Sequence, residues 1–238
     1  MTIRALLLDL GDTVFGLGPY PTSGPEAVIA QHLSVGSGEV ELESARRLMT
    51  SYRDRVLADF ALGVLEEHQP AALFGQLARE AGLHLAPDSI AAIEEALGRA
   101  DISRFLRPEA SANALATFRQ AGLALVAVSN TTTSPALLKA FLEEVGLLES
   151  FDALVFSIEL GVRKPHERMY REALGRAGVA PKEALFVGDR VREDVVGPQS
   201  CGIHAVLTHE FRQEDPGSAQ PTAIVGSLAE VLELVPEL

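Results

Sequence analysis

Ala5-Leu6-Leu7-Leu8-Asp9-Leu10-Gly11-Asp12-Thr13-Val14 is an apolar run of strand length that ends in a carboxylate and a glycine turn. This pattern places Asp9 at the C-terminal lip of a buried strand, the edge at which open α/β sheets bind ligands. Four more apolar runs of similar length follow: Leu123–Val128, Ala153–Phe156, Ala184–Val187 and His204–Leu207. Helical patterns lie between most of them. This alternation predicts an α/β fold, a doubly wound, Rossmann-like parallel sheet of five or six strands with helices on both faces.

One gap, from about Phe15 to about Phe105, is too long for a single crossover. It opens on a turn-rich stretch, Gly16 to Pro25, and continues with helical spacing over about Glu39–Ala61, Glu66–Ala81 and Asp88–Ala100. Pro87-Asp88 reads as a helix start, and Gly63 and Gly82 as stops. The expected organisation is therefore a catalytic core made of residues 1–15 and 106–238, interrupted by an all-helical cap over 16–105. In the core, Ser134-Pro135 reads as an N-cap followed by Pro at the first helical position, with Gly146 closing that helix. Pro165 is likewise expected at the first helical position of a helix running to about Ala177, before Gly178.

Composition bounds the function. The 238 residues are 47% hydrophobic and 22% charged, enough for one sizeable core and a smaller second module. A net charge of −13 argues against a nucleic-acid backbone or an anionic membrane as partner. A small anionic substrate remains compatible, since a local site on an acidic protein can be positive. The single cysteine, Cys201, precludes an internal disulfide and suits a reducing cytoplasm. Its apolar flanks suggest a packing role. Neither a secretory leader nor a membrane-length apolar run is apparent, so a cytoplasmic protein is expected. Oligomeric state is not legible.

Polar groups follow or flank the strand-like runs. Asp9 follows the first and Ser129-Asn130 the second. Lys164 follows the third, ahead of its helix. Gly188-Asp189, with Asp194 beyond, follows the fourth. Singly, each has a plain structural use as a cap, a turn former or a solvated side chain. Jointly, a parallel sheet brings them to one edge. Carboxylates with backbone carbonyls suit a hard cation such as Mg²⁺. A lysine and a hydroxyl suit the oxygens of a transferring phosphoryl group. A carboxylate can also act as the nucleophile, forming an acyl phosphate that water cleaves.

These segments resemble the motifs of the haloacid dehalogenase-like hydrolases, most of which are phosphatases. Asp9-Leu10-Gly11-Asp12-Thr13 resembles D-x-D-x-[TV], and Val128-Ser129-Asn130 an apolar strand ending in [ST]-N. Gly161-Val162-Arg163-Lys164-Pro165 resembles the basic residue before Pro, and Gly188-Asp189 through Asp194 resembles G-D-x-x-x-x-D. The insert resembles the small helical cap of one branch. The resemblance implies Asp9 as nucleophile and metal ligand, and the Gly11 carbonyl and Asp189 as Mg²⁺ ligands, with Asp194 ligating directly or through water. Ser129, with Asn130, binds the phosphoryl oxygens. Lys164 offsets their charge and orients Asp9. The implied partner is a small phosphorylated metabolite.

One position departs from the pattern. The phosphatases carry a general-acid Asp two residues after the nucleophile, where this chain has Gly11. Asp12 stands one residue later and is a candidate displaced acid, although a one-residue shift at a strand end re-aims a side chain. A missing acid costs about 10²–10⁴ in rate. Two alternatives therefore stand beside a phosphatase: dehalogenation, whose halide leaves unprotonated, and a weakly active or non-catalytic binder of phosphorylated ligands. Tyr20, Arg53 and Arg55 are expected contacts for a leaving group only if their side chains face the site.

Overall fold

The computed structural model describes residues 2–19, 21, 25–33, 38–83, 85, 87–106 and 108–235. Tyr20 lies outside them. Among the described residues six strands form one parallel sheet: β1 (Ala5–Leu8), β2 (Ala124–Ser129), β3 (Ala153–Phe156), β4 (Ala184–Gly188), β5 (His204–Thr208) and β6 (Ala223–Val225). Their spatial order is β3-β2-β1-β4-β5-β6. The chain moves outward from β1 to β3, then returns to the other side of β1 and continues to β6. The reversal places β1 between β2 and β4, with Leu8 opposite Ala127 on one side and Val187 on the other. In sheets of this kind such a reversal leaves a crevice beyond the strand ends.

The helices are α1 (Pro25–His32), α2 (Gly38–Ala61), α3 (Pro70–Glu80), α4 (Pro87–Ile102), α5 (Glu109–Gln120), α6 (Pro135–Glu144), α7 (Ser157–Leu160), α8 (Glu167–Ala177), α9 (Gly197–Ser200) and α10 (Val231–Leu234). Every residue of β1 is buried, as expected of a strand covered on both faces. Alternate residues part to opposite faces. Leu6, Leu8, Leu125 and Leu185 pack with Phe118 of α5 and Leu142 of α6. Leu7, Val126 and Phe186 pack with Met169, Tyr170 and Ala173 of α8.

Helices α1–α4 all lie between β1 and β2 and bury a cluster of their own, including Ile29, Leu48, Met49, Phe74 and Ile93. The rings of Tyr52 and Phe74 lie 4.6 Å apart within it. The two connectors to the core pair with each other. Gly18 N donates to Arg104 O at 2.7 Å, and Leu106 N to Gly16 O at 2.9 Å.

The punctuation follows the sequence at several points. Ser134 Oγ accepts from Leu137 N at 3.4 Å, with Pro135 beginning α6. Gly146 and Gly178 take positive φ after α6 and α8. Four details differ. Pro165 is not the first residue of α8: the Lys164–Pro165 peptide is cis, and α8 begins at Glu167 with the His166 side chain as its N-cap. Glu66–Gln69 is extended, because it pairs with the core at the Glu66–Val162 bridge, and α3 starts only at Pro70. Helix α1 occupies a stretch where no helix was expected, whereas the edge strand β6 falls within the expected five or six strands. β2 begins one residue later than the apolar run and takes in Ser129 as its last residue. No described helix is long and apolar enough to cross a membrane.

Candidate active site

Asp9, Ser129 and Asp189 stand at the ends of β1, β2 and β4, three strands that are neighbours in the sheet. Asp9 N continues the ladder by donating to Val187 O at 3.0 Å. Lys164 arrives from the loop before α8, 155 residues beyond Asp9. Its Nζ donates to Asp9 Oδ1 at 2.6 Å and to Asp194 Oδ1 at 2.8 Å, and it lies 5.2 Å from the centroid of the Phe186 ring.

Asn130 explains how that lysine is held. Its Oδ1 accepts from Lys164 N at 2.7 Å and its Nδ2 donates to Lys164 O at 3.1 Å. The whole amide is matched to the N–H and C=O of one residue, so Asn130 acts here on the Lys164 backbone. Asp194 sits in a π-helical turn, Val191–Val196, and its Oδ2 accepts from Arg190 N at 3.0 Å. Gly188 makes room for it: a Cβ on Gly188 would collide with the Asp194 carboxylate. The glycine of the Gly-Asp pair is thus required by packing.

One ligand atom from each of Asp9, Asp189 and Asp194 lies within 4.8 Å of the others. All three residues are buried. Burial, and then the Asp9 and Asp194 charges, push the Asp189 carboxyl up to about 8. Burial also raises Asp194, to about 6, against the pull of Lys164. For Lys164 burial disfavours the charge, but Asp194 and Asp9 outweigh it and hold the ammonium above its ordinary range.

Both oxygens of Asp189 are buried without a hydrogen bond, and Arg212 Nε approaches no nearer than 3.7 Å. A carboxylate with two orphaned oxygens is costly unless something binds it. Three carboxylates and one ammonium leave a double negative charge, which an oxygen-seeking divalent cation neutralises. The residues present therefore fit such an ion, with Asp9 and Asp189 as the open ligands. Asp194 already has both oxygens engaged by the protein.

Asp12 lines the same cavity as Asp9 and Lys164, one residue beyond Gly11. Asp12 takes the left-handed conformation, φ 55°, and its Oδ1 accepts from Leu17 N at 2.9 Å. Its carboxylate thereby fastens the first connector to the insert. Gly11 has no positive φ, and an added Cβ would come nearest to the Leu17 side chain, with Cδ1 at 3.2 Å.

Two adjoining cavities, about 240 and 290 Å³, share Gly11, Leu17, Val56, Ser129, Asn130 and Arg163. Asp9 and Lys164 line the larger one, together with Phe60 and Leu57 of α2. The insert thus closes the mouth of the site through the far end of α2. Arg53 and Arg55 of the same helix line neither cavity; Arg53 lies 3.9 Å from Glu26.

The motif reading did not single out Arg163, Arg190 and Glu67. The first two flank motif residues and were legible only as neighbours. Glu67 is buried because its Oε2 accepts from Ser157 Oγ at 2.5 Å, while Ser157 Oγ accepts from Thr131 N at 2.8 Å. Glu67 N also donates to Gly161 O at 3.0 Å, and Arg163 N to Leu65 O at 2.9 Å. These bonds tie the insert to the core beside Lys164.

Comparison with known proteins places the chain in a family. The profile of the family described as haloacid dehalogenase-like hydrolase matches residues 3–202. A phosphoserine phosphatase of Thermus thermophilus is 39% identical over 67% of this chain and 62% of its own length, so the match spans less than two thirds of that relative. A glyceraldehyde 3-phosphate phosphatase of Methanopyrus kandleri is 28% identical over 90% of this chain and 87% of its own. A 2-haloacid dehalogenase structure from Pseudomonas syringae superposes with a TM-score of 0.69 over 99% of both chains at 19% identity, a likeness of fold.

Proposed function

Because the chain belongs to the haloacid dehalogenase-like hydrolases, we propose that it is a Mg²⁺-dependent phosphatase of small phosphorylated metabolites, working through a phosphoryl group carried on Asp9. The observation that carries this reading is the orphaned Asp189 carboxylate beside the Asp9–Lys164–Asp194 chain. A displacement that needs no cation, such as dehalogenation, leaves those two buried oxygens without a purpose.

Asp9, Asp189 and the Gly11 carbonyl are the residues that would hold the ion, with Asp194 behind them. Bound there, the ion would offset the negative charge of the phosphoryl oxygens. Lys164, fixed by two carboxylates, keeps one Asp9 oxygen engaged and directs the other at phosphorus. That oxygen forms the new bond as the ester oxygen leaves with its electron pair. Water then attacks the acyl phosphate, releasing inorganic phosphate and restoring the carboxylate. Ser129, at the end of β2, faces the same cavity and supplies a donor to the phosphoryl oxygens.

The weak point is the proton for the departing oxygen. Gly11 has no side chain, and an Asp12 oxygen is engaged by Leu17 N. The leaving group then takes its proton from solvent, and its own acidity sets the rate. Aryl phosphates should turn over far better than alkyl phosphates. The test is hydrolysis of p-nitrophenyl phosphate and of ethyl phosphate, with Mg²⁺ and after chelation, alongside halide release from a 2-haloacid. Asp9→Asn should abolish aryl phosphate turnover with the fold retained, as followed by circular dichroism. Full activity of that variant, or halide release by the unmodified protein, overturns the proposal.

A further inference from the structure

Phe60, at the end of α2, is surrounded by three guanidinium groups. Arg163 Cζ lies 4.9 Å from the ring centroid, Arg192 5.9 Å and Arg190 6.0 Å. Like charges gathered on one ring repel each other, and the ring face offsets only part of this. Two of the three, Arg163 and Arg190, line the cavity that contains Asp9 and Lys164. Arg192 is exposed and lines a separate cavity.

Arg163 is the informative member. Its side chain is 16% exposed, and its Nε is buried without a hydrogen-bond partner. Glu67 Oε1 lies 3.9 Å from its terminal nitrogen, beyond hydrogen-bond range, and already accepts from His68 N at 3.0 Å. The other Glu67 oxygen is taken by Ser157. The guanidinium therefore keeps unused donors beside the cavity, where desolvation strengthens any anion it meets. A phosphoryl group on Asp9 is served by Lys164 and Ser129 at the strand ends. The arginines stand against Phe60 of the insert, the side the proposal assigns to the leaving group.

We propose that Arg163 and Arg190 form a second anion seat, so that the substrate is a phosphomonoester whose leaving group carries its own carboxylate or second phosphate. This rests on the phosphatase reading for the placement of the phosphoryl group. The planar fork of arginine matches either anion by paired hydrogen bonds, which a neutral hydroxyl or alkyl group cannot return.

The test separates the two claims. Calorimetry on Asp9→Asn protein with Mg²⁺ compares phosphoglycolate, propane-1,3-diol bisphosphate and ethyl phosphate. At least one ligand with a second anionic group should bind about 10- to 100-fold tighter than ethyl phosphate, as expected for a charged hydrogen-bonded contact. The arm that shows the preference identifies the anion. Adding Arg163→Gln or Arg190→Gln should bring the ratio toward one, and Arg163→Lys should retain part of it. Arg192→Gln should leave the ratio in place, and a melting curve for each variant excludes misfolding. A ratio near one, no binding of any ligand, or an equal loss with Arg192→Gln overturns the seat. Preferential binding without turnover by the unmodified protein overturns the phosphatase reading and leaves the seat standing. Turnover without preference does the reverse.

Discussion

At the scale of single residues, the proposed chemistry turns on Gly11 and Asp12. Asp12 combines a positive φ with a bond to Leu17 N. Asparagine keeps both the left-handed tolerance and the acceptor, so Asp12→Asn should change melting temperature and turnover little. Asp12→Ala loses both and should cost about 1–2 kcal/mol in a urea melt. A strong loss of turnover in Asp12→Asn would make Asp12 the acid after all. Gly11→Asp comes nearest to the movable Leu17 side chain and should raise alkyl phosphate turnover relative to aryl, by at most roughly 10²–10⁴. An unchanged alkyl-to-aryl ratio would mean that the new side chain does not reach the leaving oxygen. The convergence of Asp9, Lys164, Asp189 and Asp194 was legible in the sequence, because each follows a strand or flanks a helix. The sequence did not carry the use made of Asp12, which depends on a φ angle and on Leu17, or that of Asn130, whose partner is the backbone of a residue 34 positions away.

At the scale of elements, the sheet was legible because strand and helix patterns alternate, and the oversized first gap marked the inserted helices. The segment Glu66–Gln69 was misread as helix because its conformation is imposed from outside, by pairing with the loop that carries Arg163. Pro165 failed as a helix start for a similar reason: His166 caps α8 with its own ring nitrogen. The join between insert and core rests on Ser157, which donates to Glu67 and accepts from Thr131 N. Ser157→Ala leaves a buried carboxylate and a buried amide short of partners. It should lower stability by about 1–3 kcal/mol in a denaturant melt. A double-mutant cycle with Glu67→Gln should show a non-additive pair, and additivity would mean that the contact contributes nothing of its own.

At the scale of the whole molecule, the crowded acids link stability to pH. The Asp189 carboxyl, pushed up to about 8 by burial and by Asp9 and Asp194, holds its proton more tightly in the fold than in the unfolded chain. Without a cation, stability should therefore fall as pH rises from about 4 to about 8, and then level off. Asp194 acts in the same sense up to about 6. A bound Mg²⁺ requires the carboxylate and should displace that proton, flattening the slope. Calorimetric titration at pH 7 in two buffers of different ionisation enthalpy should show proton release, and its absence would remove Asp189 as the ion's seat. The position of β1 also sets an order of assembly. Ala5 meets Ala124 on one side and Ala184 on the other, so during synthesis β1 emerges long before either neighbour exists. The intervening helices can close around Phe74 meanwhile, whereas β1 waits with both edges unpaired and open to stray strands. A nascent chain stalled before Ala184 lacks β4 and the acids that follow it, so the Asp9–Asp189–Asp194 cluster assembles only when the last neighbour of the first strand has docked.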